Sequence, residues 1–283
     1  MDHVDIDLRA IERGTVTAPA GCGKTQLIAH ALAGHRGNKP ILVLTHTNAG
    51  IAALRGRLDR AGVPASVYRL STTDGWAIRL ISTFPGRSAH DPEILRLAAP
   101  ARDYPAIRDA AWKLLQAEHV SDVLKASYAH LIVDEYQDCS VPQHHIIYFL
   151  SLILPTCVLG DPMQAIFGFR GNALADWNQH VCAHFPVVGE LATPWRWRNA
   201  GAEVLGQWLL EARRLLAAGQ SVDLRSGPPE HVTWMQAVPP NDHAQRLAAA
   251  RTASPTADGR VLIIADSRNR AAQQNFASQT PGA

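Results

Sequence analysis

A glycine-rich run, "TAPAGCGKTQLI" at residues 17–28, constrains the fold of this chain more than any other feature. The run follows a strand-like segment, "GTVTA", and leads into a helical pattern that starts at Lys24. Gly21 and Gly23 let consecutive backbone N–H groups curl around phosphates, and the N-terminus of the helix adds partial positive charge. The strand, the turn and the helix together have the spacing of a phosphate-binding loop, so the sequence predicts a nucleotide site here.

Two side chains of this loop have a predicted chemistry of their own. The Lys24 ammonium is expected to reach the outer phosphates, and the Thr25 hydroxyl is expected to ligate Mg²⁺. Cys22 occupies a variable position of the pattern and receives no chemical role. The residues expected to surround the nucleotide are Ala18, Gly21, Cys22, Gly23, Lys24, Thr25 and Gln26.

A second motif, "LIVDEYQDC" at residues 131–139, places two carboxylates directly after a buried strand pattern. A nucleoside triphosphatase needs an acid that holds Mg²⁺ at the end of a neighbouring strand, and a base that activates water. Asp134 is expected to hold the metal through water, and Glu135 is expected to polarise the attacking water. Two surface acids beyond a core strand are the weaker interpretation, because a phosphate loop precedes them in the same chain.

The order of apolar and helical segments predicts an α/β fold. Short apolar runs alternate with longer helical patterns, which is typical of βαβ units on a parallel sheet. We expect a P-loop domain over residues 1–182, with a compact helical insertion at about 83–127. Residues 183–283 would form a partial second α/β domain, with strands at "HVTWMQ" and "RVLIIA".

Composition says more about the cellular compartment of this protein than about its binding partner. A net charge near +2 neither favours nor excludes nucleic acid, so any basic surface must be local. The four cysteines are scattered without metal-binding spacing, which fits a reducing compartment. With no signal-peptide pattern and no apolar run of spanning length, we expect a cytoplasmic protein without membrane contact.

Three motifs resemble those of superfamily 1 DNA helicases of the UvrD/Rep/PcrA group. "DEYQD" resembles motif II, in which the trailing glutamine and aspartate, here Gln137 and Asp138, couple the ATP site to its neighbours. "VLGDPMQAIFGFRG" resembles motif III, whose glutamine, here Gln164, contacts the γ-phosphate. "ELATPWRWRN" resembles motif IV, which implies Arg196 as the arginine that reaches the γ-phosphate, with Arg198 as the alternative. The catalytic residues implied in this way are Lys24, Glu135, Gln164 and Arg196.

The same resemblance implies a surface for single-stranded DNA. "ILVLTHTNAGIAALRGRL" resembles motif Ia, and the aromatic residues of motif III resemble those on which bases stack. Three side-chain groups have an equally simple structural interpretation: Phe167 and Phe169 as core, His46 as a polar surface residue, and Trp76 as helix packing. The implied DNA-binding residues are Thr45, His46, Thr47, Asn48, Thr72, Trp76, Phe167, Phe169 and Arg170.

The resemblance implies an ATP-dependent translocase or helicase, or part of one, with a RecA-like P-loop domain and an incomplete second RecA-like domain. ATP and Mg²⁺ would be its cofactors, and single-stranded DNA or a single-strand/double-strand junction its partner. The alternative is a nucleotide- and DNA-sensing module of a multi-subunit complex that does not unwind DNA. The "DEYQDCS" run and the short insertion also resemble small UvrD-like proteins that pair with OLD-family nucleases in anti-phage systems of the Gabija type, which would make a nuclease subunit a partner.

The pattern departs from the family at two further places. No glutamine motif precedes the first strand, so ATP is favoured over GTP by resemblance alone. No motif V or motif VI follows "VLIIADSRNRAAQQNF", so we expect a longer gene product or a partner protein to supply the rest of the motor.

Overall fold

The computed structural model describes residues 6–168, 172–225, 227–230, 232–252, 259, 262–264 and 269–280. The chain divides into two compact units, Met1–Ala218 and Gly219–Ala283. Among the described residues, no helix is both long enough and apolar enough to cross a membrane.

The first unit is built on a six-stranded sheet in which all paired strands are parallel. The spatial order is β3-β2-β4-β5-β1-β6. The strands are β1 (Arg13–Thr17), β2 (Ile41–Thr45), β3 (Tyr68–Thr72), β4 (His130–Val133), β5 (Thr156–Gly160) and β6 (Val187–Glu190). This sheet confirms the predicted α/β fold.

Helices connect the strands and cover the sheet. Those of the first unit are α1 (Lys24–Ala33), α2 (Asn48–Arg60), α3 (Thr73–Thr83), α4 (Pro85–Ser88), α5 (Pro100–Gln116), α6 (Ser121–Ser127), α7 (Val141–Ser151), α8 (Trp195–Asn199) and α9 (Glu203–Ala217). The second unit contains α10 (Asp242–Ala250) and α11 (Arg270–Ser278). Because parallel strands need crossover connections, a helix follows most strands.

The central strands are buried on both faces, as expected for a parallel sheet covered by helices. Alternate residues of one strand enter two separate cores: Leu131 and Val133 of β4 belong to one, while Ile132 belongs to the other. The larger core includes Ile107 and Leu114 of α5, so the helices of the predicted insertion pack on the sheet domain. Because the paired strands are all parallel, their carboxyl ends and the polar residues that follow them lie at one edge of the sheet.

Two expectations about the C-terminal third differ from the structure. β6 pairs with β1 and completes the first sheet, and the compact units divide after residue 218, not near residue 182. Of the two strands expected in the second unit, the first is not formed over residues 232–236, and residues 262–264 of the second are not in a strand. The rest of that second run lies outside the described residues. A partial second RecA-like domain stays a prediction.

Candidate nucleotide-hydrolysis site

The phosphate loop follows β1 at the carboxyl end of the sheet. Ala18 is buried and donates its backbone N–H to the Gly160 carbonyl at the end of β5, at 2.9 Å. Gly21 and Gly23 have φ of +75° and +95°, a region that residues with a Cβ rarely adopt. α1 then begins at Lys24, and the geometry of a helix leaves its first N–H groups without intrahelical partners at this loop. The backbone thus has the form that the glycine spacing predicts.

The remaining residues of the loop differ in exposure. Thr25 is half-buried in the first turn of α1, and Gln26 is exposed. Cys22 is buried, and burial raises the pKa of its thiol to about 11. The thiol is therefore protonated at neutral pH, consistent with the absence of a predicted chemical role for Cys22.

Lys24 and the acid pair after β4 lie in direct contact. The Lys24 Nζ is 2.9 Å from Asp134 Oδ1 and 2.7 Å from Glu135 Oε2. Burial alone would lower the pKa of Lys24, but the two carboxylates outweigh it and raise that pKa. Burial raises the pKa of Asp134, whereas for Glu135 the contacts with Lys24 outweigh burial and lower the pKa. The three groups form one charged cluster that combines the two motifs.

The backbone of Glu135 is unusual. Its φ and ψ are +55° and +43°, in the left-handed region, which a residue with a Cβ occupies at a cost of about 1–3 kcal/mol. The turn directs the Glu135 side chain back toward Lys24, although β4 itself ends at Val133. Strained conformations of this kind cluster at functional sites.

Gln137 links the acid pair to the end of the next strand. Its Nε2 donates to Glu135 Oε2 at 2.8 Å, and its Oε1 accepts from the backbone N–H of Asp161 at 3.0 Å. Asp138 acts at the same junction, because its Oδ1 accepts from the backbone N–H of Ile166 at 3.2 Å. The glutamine and the aspartate of "DEYQD" thus hold the segment after β5 against the segment after β4.

Gln164 lies in the short 3₁₀ turn Pro162–Gln164, just after β5. Its Nε2 donates to Asp161 Oδ2 at 2.6 Å. Asp161 is buried, and its Oδ1 also forms an ion pair with Arg213 Nη1 of α9 at 2.6 Å. The sequence interpretation assigned no role to Asp161, which lies within the motif III run, and no motif contains Arg213.

α8 lies directly against the phosphate loop. The backbone N–H of Arg196 donates to the Gly21 carbonyl at 3.0 Å, and a Cβ built on Gly21 would lie 2.5 Å from the Trp197 ring. Arg198 pairs instead with Glu203, with its Nε 2.9 Å from Glu203 Oε1. Of the two arginines that the sequence left open, Arg196 is therefore the one whose backbone contacts the loop.

The described residues among those predicted to contact DNA lie at the ends of β2 and β3, in α3 and after β5. The His46 ring lies 4.9 Å from the half-buried Phe167 ring. Thr47 and Thr72 cap α2 and α3, because their hydroxyls accept from the N–H groups of residues 50 and 75. Asn48 is exposed at the start of α2.

The structure corrects one of the DNA-binding assignments. Trp76 is 3% exposed and belongs to the larger core with Ala77, Leu80 and Ile81, so neither ring face is accessible to a base. Thr45 is also buried at the end of β2. Phe169 and Arg170 lie outside the described residues.

The arrangement fits an α/β fold of the P-loop class: a lysine after β1 contacts two carboxylates after β4, and Gln137 joins those carboxylates to the segment after β5. The family described as the UvrD/REP helicase N-terminal domain matches residues 95–180. The matched segment contains the acid pair, Gln137 and Gln164, but not the phosphate loop, so the two signals come from different parts of the chain. This match supports a UvrD-like helicase family. A comparison with curated proteins gave no match.

Proposed function

We propose that this chain is an ATP-dependent single-stranded-DNA translocase or helicase of the UvrD-like kind, or the part of one that binds and hydrolyses ATP. The observation that carries the proposal is the contact of Lys24 with both Asp134 and Glu135 at the phosphate loop. The family match to residues 95–180 supports DNA as the second partner.

The residues present fit Mg²⁺ and ATP. Mg²⁺ in nucleotide sites is bound by one or two protein oxygens together with substrate phosphates and water, not by a protein cage. In the described part of the chain, no group of three or more histidine, cysteine or acidic side chains could hold a metal. The Thr25 hydroxyl and the Asp134 carboxylate are the two oxygens proposed for the ion. When bound, ATP supplies the γ-phosphoryl group that is transferred to water.

The chain's own side chains have separate tasks. Lys24 exchanges its contacts with the acid pair for contacts with the outer phosphates. Glu135, freed from Lys24 and still held by Gln137, accepts a proton from the attacking water. Gln164 and Arg196 add donors for the charge that develops on the transferred group, where preorganised donors have the largest effect.

The proposed DNA surface lies at the same edge of the sheet. His46 and Phe167 supply rings on which bases can stack, a contact that tolerates any base sequence. Thr47 and Asn48, at the start of α2, offer polar groups and the helix N-terminus for a backbone phosphate. Phe169 and Arg170 remain part of the proposal on their sequence alone. A single strand or a junction is the proposed ligand.

The proposal places the protein in the cytoplasm, since all four cysteines are free thiols. A nuclease subunit or a protein that completes the motor stays a prediction.

The direct test is phosphate release from ATP with and without single-stranded DNA. We expect hydrolysis that DNA stimulates, and its loss in Lys24→Ala. The matched control is Lys113→Ala, which removes a lysine that is 59% exposed and pairs with Asp109 along α5. Hydrolysis that survives Lys24→Ala would overturn the site. Binding of both ligands with no turnover would favour the nucleotide- and DNA-sensing module.

A further inference from the structure

Arg213 is an arginine that none of the motifs contains, yet its guanidinium points at the hydrolysis site. Its side chain is 16% exposed, and its Nη1 lies 2.6 Å from Asp161 Oδ1. On the other side, its Nε lies 4.0 Å from Glu190 Oε1 at the end of β6. An arginine on α9 thus bridges the ends of β5 and β6, beside the strand that leads into the phosphate loop.

Asp161 connects this arginine to two residues of the site. The Asp161 side chain is 3% exposed, so its charge needs a compensating cation. Its Oδ2 accepts from Gln164 Nε2 at 2.6 Å, while its backbone N–H donates to Gln137 Oε1 at 3.0 Å. The ion pair with Arg213 fixes the carboxylate that orients Gln164, and fixes the backbone that orients Gln137.

The contacts form a continuous path from α9 to Lys24. Arg213 holds Asp161, Asp161 holds Gln137, Gln137 donates to Glu135 at 2.8 Å, and Glu135 lies 2.7 Å from Lys24. Charge-assisted hydrogen bonds make up both ends of this path, and such bonds are the strongest and the most directional in proteins. A displacement at the α9 end therefore alters the positions of Gln137 and Gln164 together.

We propose that Arg213 is a positioning residue for ATP hydrolysis, which acts through Asp161 on the orientation of Gln164 and Gln137. The inference rests on the proposed function, because it assigns a role within the same site. Arg213 does not need to touch the nucleotide. Its effect is on turnover, since the two glutamines it orients act on the reacting γ-phosphoryl group and on the water-activating Glu135.

The test is steady-state ATP hydrolysis with single-stranded DNA by Arg213→Ala, with kcat and KM measured separately. We expect kcat to fall about 10- to 100-fold, as small misplacements of catalytic groups do, while KM changes by less than about 3-fold. Arg213→Lys restores the positive charge at one point and is expected to recover part of kcat. Arg214→Ala is the matched control, because its side chain is 74% exposed and pairs with Glu211 on the same helix.

A double variant shows whether Arg213 acts through Asp161. Asp161→Asn alone is expected to lower kcat, and Arg213→Ala combined with Asp161→Asn is expected to be no worse than the more defective single variant. Independent, multiplying effects would overturn the path. A thermal melt of each variant separates lost positioning from lost folding.

Different results would overturn the role of Arg213 and the proposed function. Wild-type protein without ATP hydrolysis overturns the proposed function. Wild-type hydrolysis with an unchanged kcat in Arg213→Ala overturns only the role of Arg213, and so does a fall in kcat that Arg214→Ala reproduces.

Discussion

Two regions of the sheet edge differ in how their polar groups are satisfied: the proposed phosphate side, around Lys24, Glu135 and Gln137, and the proposed DNA side, around Thr45, His46 and Phe167. On the phosphate side, Lys24, Glu135 and Gln137 hold one another through short contacts. On the DNA side, Thr45 Oγ1, His46 Nδ1 and Thr73 Oγ1 are buried and have no hydrogen-bond partner among the described residues. The side chains of the phosphate side are held by ion pairs and hydrogen bonds with one another, whereas the DNA side contains buried polar atoms without a hydrogen-bond partner among the described residues.

This difference separates two kinds of function. A hydrolysis site needs preorganised donors and acceptors, because the reacting geometry must exist before the transition state forms. A surface on which a strand moves needs sequence-tolerant contacts that break at each step. We therefore expect substitutions on the phosphate side to affect turnover, and substitutions on the DNA side to affect affinity for DNA.

The largest expected effect is that of Glu135→Gln on turnover. Loss of the general base should lower kcat by about 100- to 10,000-fold, because the water is no longer activated. Binding of ATP and of single-stranded DNA should persist, since the amide keeps the shape of the carboxylate. Turnover close to that of the wild type would show that Glu135 is not the base.

Trp76→Ala should affect stability. Removing this core ring should cost about 3–5 kcal/mol of the free energy of unfolding, measured by urea denaturation. A normal unfolding curve together with lost DNA affinity would restore Trp76 to the DNA surface.

Phe167→Ala is the counterpart on the DNA side. It should weaken single-strand binding by about 1–3 kcal/mol, the value of one stacked base, with little change in the unfolding curve. Trp197→Ala is the comparison, since that ring packs on Gly21 of the phosphate loop and should leave DNA affinity nearly unchanged. Equal losses of DNA affinity in both variants would remove the difference between the two sides.

A separate expected effect, on stability alone, is a pH dependence that comes from neither side. Burial lowers the pKa of His130 in β4 to about 4, against an ordinary value of 6.5. As the pH falls, the unfolded chain binds this proton at a higher pH than the folded protein does. The contribution of His130 to the free energy of unfolding should therefore be complete above pH 6.5 and decrease toward pH 4. The slope is about 1.4 kcal/mol per pH unit for this group.

His130→Leu should flatten that part of the profile in urea melts at a series of pH values. His119→Leu, at an exposed ring, is the control. An unchanged slope in His130→Leu would mean that His130 is protonated in the folded protein.

The backbone of the phosphate loop and the end of β4 could be predicted from the sequence because their geometry follows local rules. Gly21 and Gly23 are required by their positive φ, and Asp134 follows a strand pattern whose end must lie at the sheet edge. The coupling by Gln137 came from the resemblance, and the structure supplies its two partners.

The sequence predicted the DNA side less well, because a residue must be exposed to contact DNA and its exposure depends on tertiary packing. The signal for Trp76 was present: Trp76, Ala77, Leu80 and Ile81 follow helical spacing, which indicates a core face. The resemblance of this region to one that lines the DNA path favoured a DNA-binding role for Trp76 instead. Arg213 and Arg214 are adjacent arginines on α9, and no local rule tells which of the two faces Asp161.

The central claim, that Lys24 leaves the acid pair to hold the phosphates, is tested most directly by equilibrium binding of a non-hydrolysable ATP analogue with Mg²⁺. Calorimetry should show binding to the wild type and to Lys113→Ala. In Lys24→Ala the affinity should be about 10- to 100-fold weaker, the loss of one or two charge-assisted hydrogen bonds to phosphate. Equal affinity in all three proteins would contradict the claim, because the lysine would then serve only to neutralise Asp134 and Glu135.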